Sequence, residues 1–217
     1  MRGKQDNSTL RQKVALRRAV LKKIQRPVVL EVYGGAGVVG DYVYREVSRG
    51  VVLERCPTQT DLLARKRPQW SVCEGDSLTL LRAGIGDHLP VNLVDIDAYG
   101  LPWDSLDAFF SGWKRWGDPL WLVVTDGSVL RAKMANGPQD ECFRELRQRF
   151  GGMVHQDYPQ KAGWFLTKKA ADVGYSVSGF RAVTCGYSQQ MTLWSACLTP
   201  ARAAGPDGGA SDTGGCP

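Results

Sequence analysis

The stretch Val28–Gly40 constrains this chain most. An apolar run, Val28-Val-Leu-Glu-Val32, is broken only by Glu31; Tyr33 follows, and then Gly34, Gly35, Gly37 and Gly40 crowd into seven positions. Such a run is the pattern of a strand buried on both faces. Glycine lacks a Cβ and tolerates positive φ, so glycines directly after a strand make a tight turn that opens a helix and lets a ligand approach the backbone. A plain strand–helix connection uses the same residues, so the loop alone leaves both readings open.

The following elements repeat the alternation. A helix over Val38–Arg49 is followed by a break at Gly50 and a second strand, Val51–Glu54. Glu54 stands 19 residues beyond Gly35. Rossmann-type nucleotide sites place an acid about 20 residues after the glycine loop, at the tip of the second strand, where it accepts hydrogen bonds from ribose hydroxyls. A helix over Thr58–Lys66 and a third strand, Trp70–Cys73, lead to Glu74-Gly-Asp76-Ser77. A carboxylate there either reaches an adenine amino group or caps the helix Leu78–Arg82. Val91–Asp97 reads as the fourth strand, with Asp95 and Asp97 two apart and therefore on one face. Two carboxylates crowded at the end of an apolar strand need partners or a function. A helix over Trp103–Trp116, a fifth strand Leu120–Thr125, helices over Asp140–Phe150 and Pro159–Ala171 (the latter interrupted near Gly163), and final strands Tyr175–Cys185 and Gln190–Leu198 complete the order. This alternation predicts a Rossmann-like, doubly wound α/β sheet, mostly parallel, with a C-terminal antiparallel hairpin.

Charge and composition divide the chain into an arm, residues 1–26, a body, 27–199, and a tail, 200–217, whose Ala, Gly and Asp offer no packable face and predict disorder. The arm carries nine Lys/Arg against the single acid Asp6, whereas the whole chain is only +6, so the body is near neutral. A helix over 9–25, capped by Ser8 or Thr9, places Leu16, Val20 and Ile24 on one stripe and Arg17, Arg18, Lys22 and Lys23 largely off it. Those four read either as phosphate contacts or as a solvated face on a packed helix. No apolar run is long enough for a transmembrane span, and the polar, basic N-terminus lacks the apolar core of a secretory signal. Six cysteines without a C-x-x-C, and only two histidines, His88 and His155, disfavour a metal site and suit reduced thiols in a cytoplasmic protein.

Glu31-x-Tyr33-x-Gly35-x-Gly37 resembles the glycine loop of class I S-adenosylmethionine-dependent methyltransferases, and Glu54 and Asp76 stand where that family's ribose- and adenine-side acids stand. Val94-Asp-Ile-Asp-Ala-Tyr-Gly-Leu-Pro102 is similar to the Asp-Pro-aromatic-Gly-small-Pro motif of tRNA guanine-N2 dimethyltransferases. Leu106-Asp-Ala fits the helix that follows in that family, and Val123-Val-Thr-Asp126 its next strand end. The resemblance spans about residues 28–150 and departs from the motif at Ala98, in place of a proline, and at Leu101, in place of a small residue. It implies S-adenosylmethionine as cofactor, held by Glu31, Tyr33, Gly34, Gly35, Gly37, Glu54, Arg55, Asp76, Ser77 and Asp95. It also implies methyl transfer to an exocyclic base nitrogen of nucleic acid, RNA over DNA. Asp97 would accept the amine, Tyr99 would stack on the base, and Arg17, Arg18, Lys22 and Lys23 would meet the phosphates. A methyltransferase of small molecules or proteins, an NAD-dependent oxidoreductase and a non-catalytic cofactor-binding module remain the alternatives.

Overall fold

The computed structural model describes residues 9–98, 100–112, 116–133 and 141–201. Ser8, Tyr99 and the tail beyond Ala201 lie outside the described residues. Seven strands, β1 (Val28–Val32), β2 (Arg49–Glu54), β3 (Ser71–Glu74), β4 (Val91–Asp97), β5 (Trp116–Asp126), β6 (Tyr175–Cys185) and β7 (Met191–Pro200), form one sheet in the order β3-β2-β1-β4-β5-β7-β6. The first five are parallel, and β7 runs antiparallel between β5 and β6. Eight α-helices are described: α1 (Leu10–Leu21), α2 (Val38–Val43), α3 (Pro57–Lys66), α4 (Ser77–Arg82), α5 (Trp103–Gly112), α6 (Ser128–Lys133), α7 (Glu141–Phe150) and α8 (Tyr158–Asp172). The doubly wound sheet with a reversed terminal pair is the predicted architecture.

Strand alternation sorts the core into two layers. Val29, Val52, Leu93 and Val123 face α1, α2 and α3, packing on Val20, Val43 and Leu63. Leu30, Leu53, Ile96, Leu122 and Trp194 face the opposite layer, where α4, α5 and α8 contribute Leu81, Phe109 and Phe165. Local departures from expectation have packing causes. The second helix stops at Val43 because Tyr44 and Val47 turn into the core. Gly50 does not break the chain but lies inside β2, where a Cβ would come within 2.6 Å of the Trp70 ring. Trp116 opens β5 instead of ending a helix, α8 continues through Gly163, and the short α6 was not expected.

Two buried ion pairs fasten helices to the α1–α3 face of the sheet. Arg17 is fully buried; its Nε and Nη2 donate to the two carboxylate oxygens of Asp95 at 2.7 and 2.6 Å. The Tyr44 hydroxyl donates to Asp95 Oδ2 at 2.7 Å, and Arg17 Nη2 reaches Thr125 Oγ1 at 3.2 Å. Burial opposes the charge of Arg17, but Asp95 and Asp97 outweigh it and raise its pKa. Leu10–Leu21 of the basic segment are therefore a docked helix, and the expectation that Arg17 meets phosphate is corrected: at 0% exposure it cannot. In the second pair Arg67 bonds Glu31, packs against the backbone of Gly37 and Gly40, and stacks 4.9 Å from the Trp70 ring centroid. Burial pushes the Glu31 carboxyl up to about 7, against the pull of Arg67.

Two stability measurements check these pairs. Arg17→Met leaves a buried carboxylate without its cation and is expected to cost about 3–5 kcal/mol in urea denaturation, most of it recovered when Asp95→Leu and Tyr44→Phe are added. Glu31 holds a proton in the folded state up to about 7, whereas an ordinary carboxyl loses it near 4.5. Folding stability from this group is thus present at low pH and lost as pH rises between those values. Glu31→Gln is expected to flatten that fall; an unchanged slope would place the titration elsewhere.

Candidate active site

The carboxyl ends of β1, β2 and β4 carry the residues of interest. Tyr33 leaves β1 at φ +67, a conformation costly for a residue with a side chain. Its hydroxyl is tied to Ser105 Oγ of α5 at 2.8 Å, which fixes the ring on the α5 side of the loop. Gly34 is buried, and a Cβ there would lie 2.4 Å from Val52 Cγ2. Gly35 is different: at φ +53 it faces open space, with no atom within 4 Å of where a Cβ would be. The loop backbone there is open to approach. The Gly35 N–H donates to Glu54 Oε2 at 2.7 Å, and Cys56 N–H to Oε1 at 2.8 Å. Each carboxylate oxygen accepts more than one bond, so Glu54 retains acceptors for two vicinal hydroxyls. The open backbone at Gly35 thus lies beside a carboxylate that is held by backbone N–H groups and keeps free acceptor positions.

Asp76 caps α4, its Oδ1 accepting both the N–H and the hydroxyl of Thr79 at 3.0 Å. Those two bonds, with a smaller contribution from Arg55, hold its carboxyl below the usual range. Asp76 and Arg55 are exposed near the tips of β3 and β2. Ser77 is buried in the first turn of α4 and does not face solvent. Glu31 and Asp95, expected at the cofactor, are 4% and 1% exposed and engaged by Arg67 and by Arg17 with Tyr44. They support the loop and β4 from within, because the even–odd alternation of β1 and β4 turns them toward α1–α3.

Asp97 is the exception on that face, since it ends β4 and its side chain keeps 19% exposure. Lys13 Nζ, one helical turn before Arg17, donates to its Oδ1 at 2.7 Å. Burial alone would raise the Asp97 pKa, but Arg17, Lys13 and the Thr125 hydroxyl outweigh it and hold the carboxyl below the usual range. The exit loop after Asp97 is tied at Gly100 to the turn that follows β5. Gly127 N–H donates to Gly100 O at 2.8 Å. Just before it the buried Asp126 accepts from Ser128 N–H at 2.8 Å, Tyr158 at 2.9 Å and Trp194 at 3.2 Å. Trp103 donates to the Tyr158 hydroxyl at 2.9 Å.

At the carboxyl edge of the sheet the structure thus brings together Gly35 with Glu54 and Asp76 with Arg55, with Asp97 at the tip of β4, while Asp95 lies two residues back beneath Arg17. The remaining basic residues lie elsewhere. Arg18 donates to the Tyr42 carbonyl, and Lys23 sits 4.6 Å over the Trp121 ring. Lys22 is exposed, about 13 Å along α1 from Lys13. That end of α1 lies at the amino edge, where Asn92 binds the Arg26 carbonyl. Sequence reasoning missed Lys13, Tyr44, Arg67 and Ser105, all partners rather than motif members. A cavity of about 350 Å³ between α2 and α3, lined by Tyr44, Lys66, Arg67 and Trp70, lies behind the loop and includes neither Glu54 nor Asp97. Among the described residues no cluster of His, Cys, Asp and Glu could hold a metal ion, and no helix is long and apolar enough to cross a membrane.

No protein-family model matches the chain. It is 23% identical over 167 residues to a tRNA (guanine(26)-N(2))-dimethyltransferase of Thermoplasma volcanium, covering 77% of this chain and 45% of that protein. It is 25% identical to the namesake of Thermoplasma acidophilum, with 77% and 48% covered. The chain therefore spans about half the length of these curated relatives. Among solved structures, Trm1 from Pyrococcus horikoshii with S-adenosyl-L-methionine superposes with a TM-score of 0.62 at 12% identity, over 90% of this chain and 56% of that one. TYW2 of M. jannaschii in complex with AdoMet gives 0.57 at 11% identity, over 92% and 78%. The chain has the class I S-adenosylmethionine-dependent methyltransferase fold and resembles the tRNA guanine-N2 dimethyltransferases in sequence.

Proposed function

We propose that this chain binds S-adenosylmethionine across the tips of β1, β2 and β3 and transfers its methyl group to an exocyclic nitrogen of a nucleic-acid base, RNA favoured. The observation that carries this reading is Asp97, partly exposed at the tip of β4 on the same edge as the Gly35–Glu54 pair. Bound, the cofactor supplies a methyl group made electrophilic by a sulfonium. Glu54 and the Gly35 backbone hold the ribose, and Asp76 with Arg55 borders the adenine. Tyr33 lines the methionine end. Positioning of the amine in line with the methyl is then the main catalytic task.

Asp97 serves that task as an acceptor. An exocyclic amine is a weak nucleophile because its lone pair conjugates with the ring. Accepting its N–H localises electron density on nitrogen as the N–CH3 bond forms and the S–CH3 bond breaks. Held below the usual carboxylate range, Asp97 is a weak base, yet the methylated nitrogen is cationic and gives up its proton readily. Lys13 shares the carboxylate, so the amine joins or replaces an ammonium already on Oδ1. Tyr99 is proposed to stack on the base.

One observation favours a second reading, a small-molecule or protein substrate. Much of the basic charge of α1 is paired internally, Arg17 with Asp95 and Lys13 with Asp97, which leaves less for phosphates. Labelled methyl transfer from S-adenosylmethionine to tRNA, rRNA, DNA and a protein extract separates the two. In the same assay Asp97→Asn is expected to lower turnover by about 10²–10⁴ while cofactor affinity persists. Glu54→Ala is expected to weaken cofactor binding first, read by calorimetry; unchanged affinity would remove Glu54 from the site.

A further inference from the structure

The hairpin between β6 and β7 turns at the same edge as Asp97, since Thr192 pairs with Asp126 at the end of β5 and Cys185 with Met191. Its tip is held in an unusual backbone. Gly186, Ser188 and Gln189 have φ of +81, +52 and +52, and two of these are not glycine. Left-handed backbone at non-glycine residues persists only where the surroundings impose it, and it concentrates at functional sites. The result is to present Tyr187 at 85% exposure, the largest among the exposed hydrophobic side chains described. The tip also touches the start of α1: a Cβ on Gly186 would lie 3.4 Å from Thr9 Cγ2, one turn before Lys13. At the exit loop after β4, Arg131 Nη2 of α6 lies 3.9 Å from the position of a Gly100 Cβ. Arg131 is exposed. A bare aromatic ring and a guanidinium thus stand at the same edge of the sheet as Asp97.

We infer that Tyr187 is a stacking platform for an unpaired nucleobase, and that Arg131 contacts the phosphate backbone of the same strand. This rests on the nucleic-acid reading above and adds the residues that seat the strand. Every base has a π face, so such a platform tolerates sequence, and a cation beside it tracks the backbone. An unpaired base in an RNA loop, next to the one that enters the site, presents both features at once. Neither residue belongs to the cofactor or acceptor machinery, and the exposure of Tyr187 leaves the core untouched by its replacement.

The test is fluorescence anisotropy of a short labelled single-stranded RNA with the full chain. Tyr187→Phe is expected to bind like the wild type, and Tyr187→Ala to lose about five- to 150-fold in affinity. Tyr187→Leu, which keeps apolar area without a ring, is expected to behave like the alanine variant. Arg131→Gln is expected to lower the slope of log affinity against log salt by about one. A thermal midpoint unchanged in all four variants excludes misfolding, and a 2-aminopurine base quenched by the wild type but not by Tyr187→Leu reports the stack independently of affinity. If the wild type binds this RNA and Tyr187→Ala binds equally well, the platform is overturned while the nucleic-acid reading stands. If the wild type does not bind it, both fall.

Discussion

Asp95 is the constraint around which this molecule is arranged. A carboxylate at 1% exposure in the middle of a parallel sheet is tenable only with its charge and lone pairs satisfied. Arg17 and Tyr44 supply the three bonds, and they come from two elements remote in sequence. The geometry of the pairing follows from elementary spacings. Four residues of helix rise about 6 Å, and two residues of strand about 6.6 Å. Lys13 and Arg17 therefore match Asp97 and Asp95 in reverse order, which sets α1 antiparallel to β4 and places its first turns at the carboxyl edge.

That arrangement gives an N-terminal helix a part in the electrostatics of a loop more than eighty residues later in the chain. Lys13 and Arg17 together keep Asp97 ionised although it is largely shielded from water. The loop beyond it is tied at Gly100 to Gly127, beside Asp126, which gathers donors from α6, α8 and β7. One strand end is thus bordered by charges on one face of the sheet and by the hydrogen-bond network around Asp126 at the next strand. The glycine loop is built similarly, with Arg67 beneath Glu31 on one face and Ser105 anchoring Tyr33 on the other.

The fold was legible because periodicity and glycine placement are local properties. Val28–Val32 and Val91–Asp97 read as strands to the residue, and the hairpin strand Tyr175–Cys185 did too. The Glu54 spacing pointed to a carboxylate that does touch Gly35. What local patterns could not separate was an acid that faces a ligand from one that faces a buried arginine. Glu31, Asp95 and Asp97 share one face, and only the last, at the strand end, keeps contact with water. Arg17 misled for the same reason: on a helical wheel it lies beside the apolar stripe, and a fully buried guanidinium looks identical to a solvated one until its partner is known. The matching spacings of Lys13/Arg17 and Asp95/Asp97 were the available signal. Gly50 shows the converse, a breaker by composition that packing under Trp70 turns into a strand residue.

The placement of β7 has a consequence for how the molecule comes into being. It is the last of the described strands, yet it fills an interior position between β5 and β6. During synthesis, β5 and β6 emerge without the element that joins them. The unsatisfied edge of β5 then stays open to any extended peptide until Met191–Pro200 has left the ribosome. The nascent molecule is consequently most open to mispairing in the interval before β7 emerges, and a nascent-chain chaperone would find its purchase on that waiting edge.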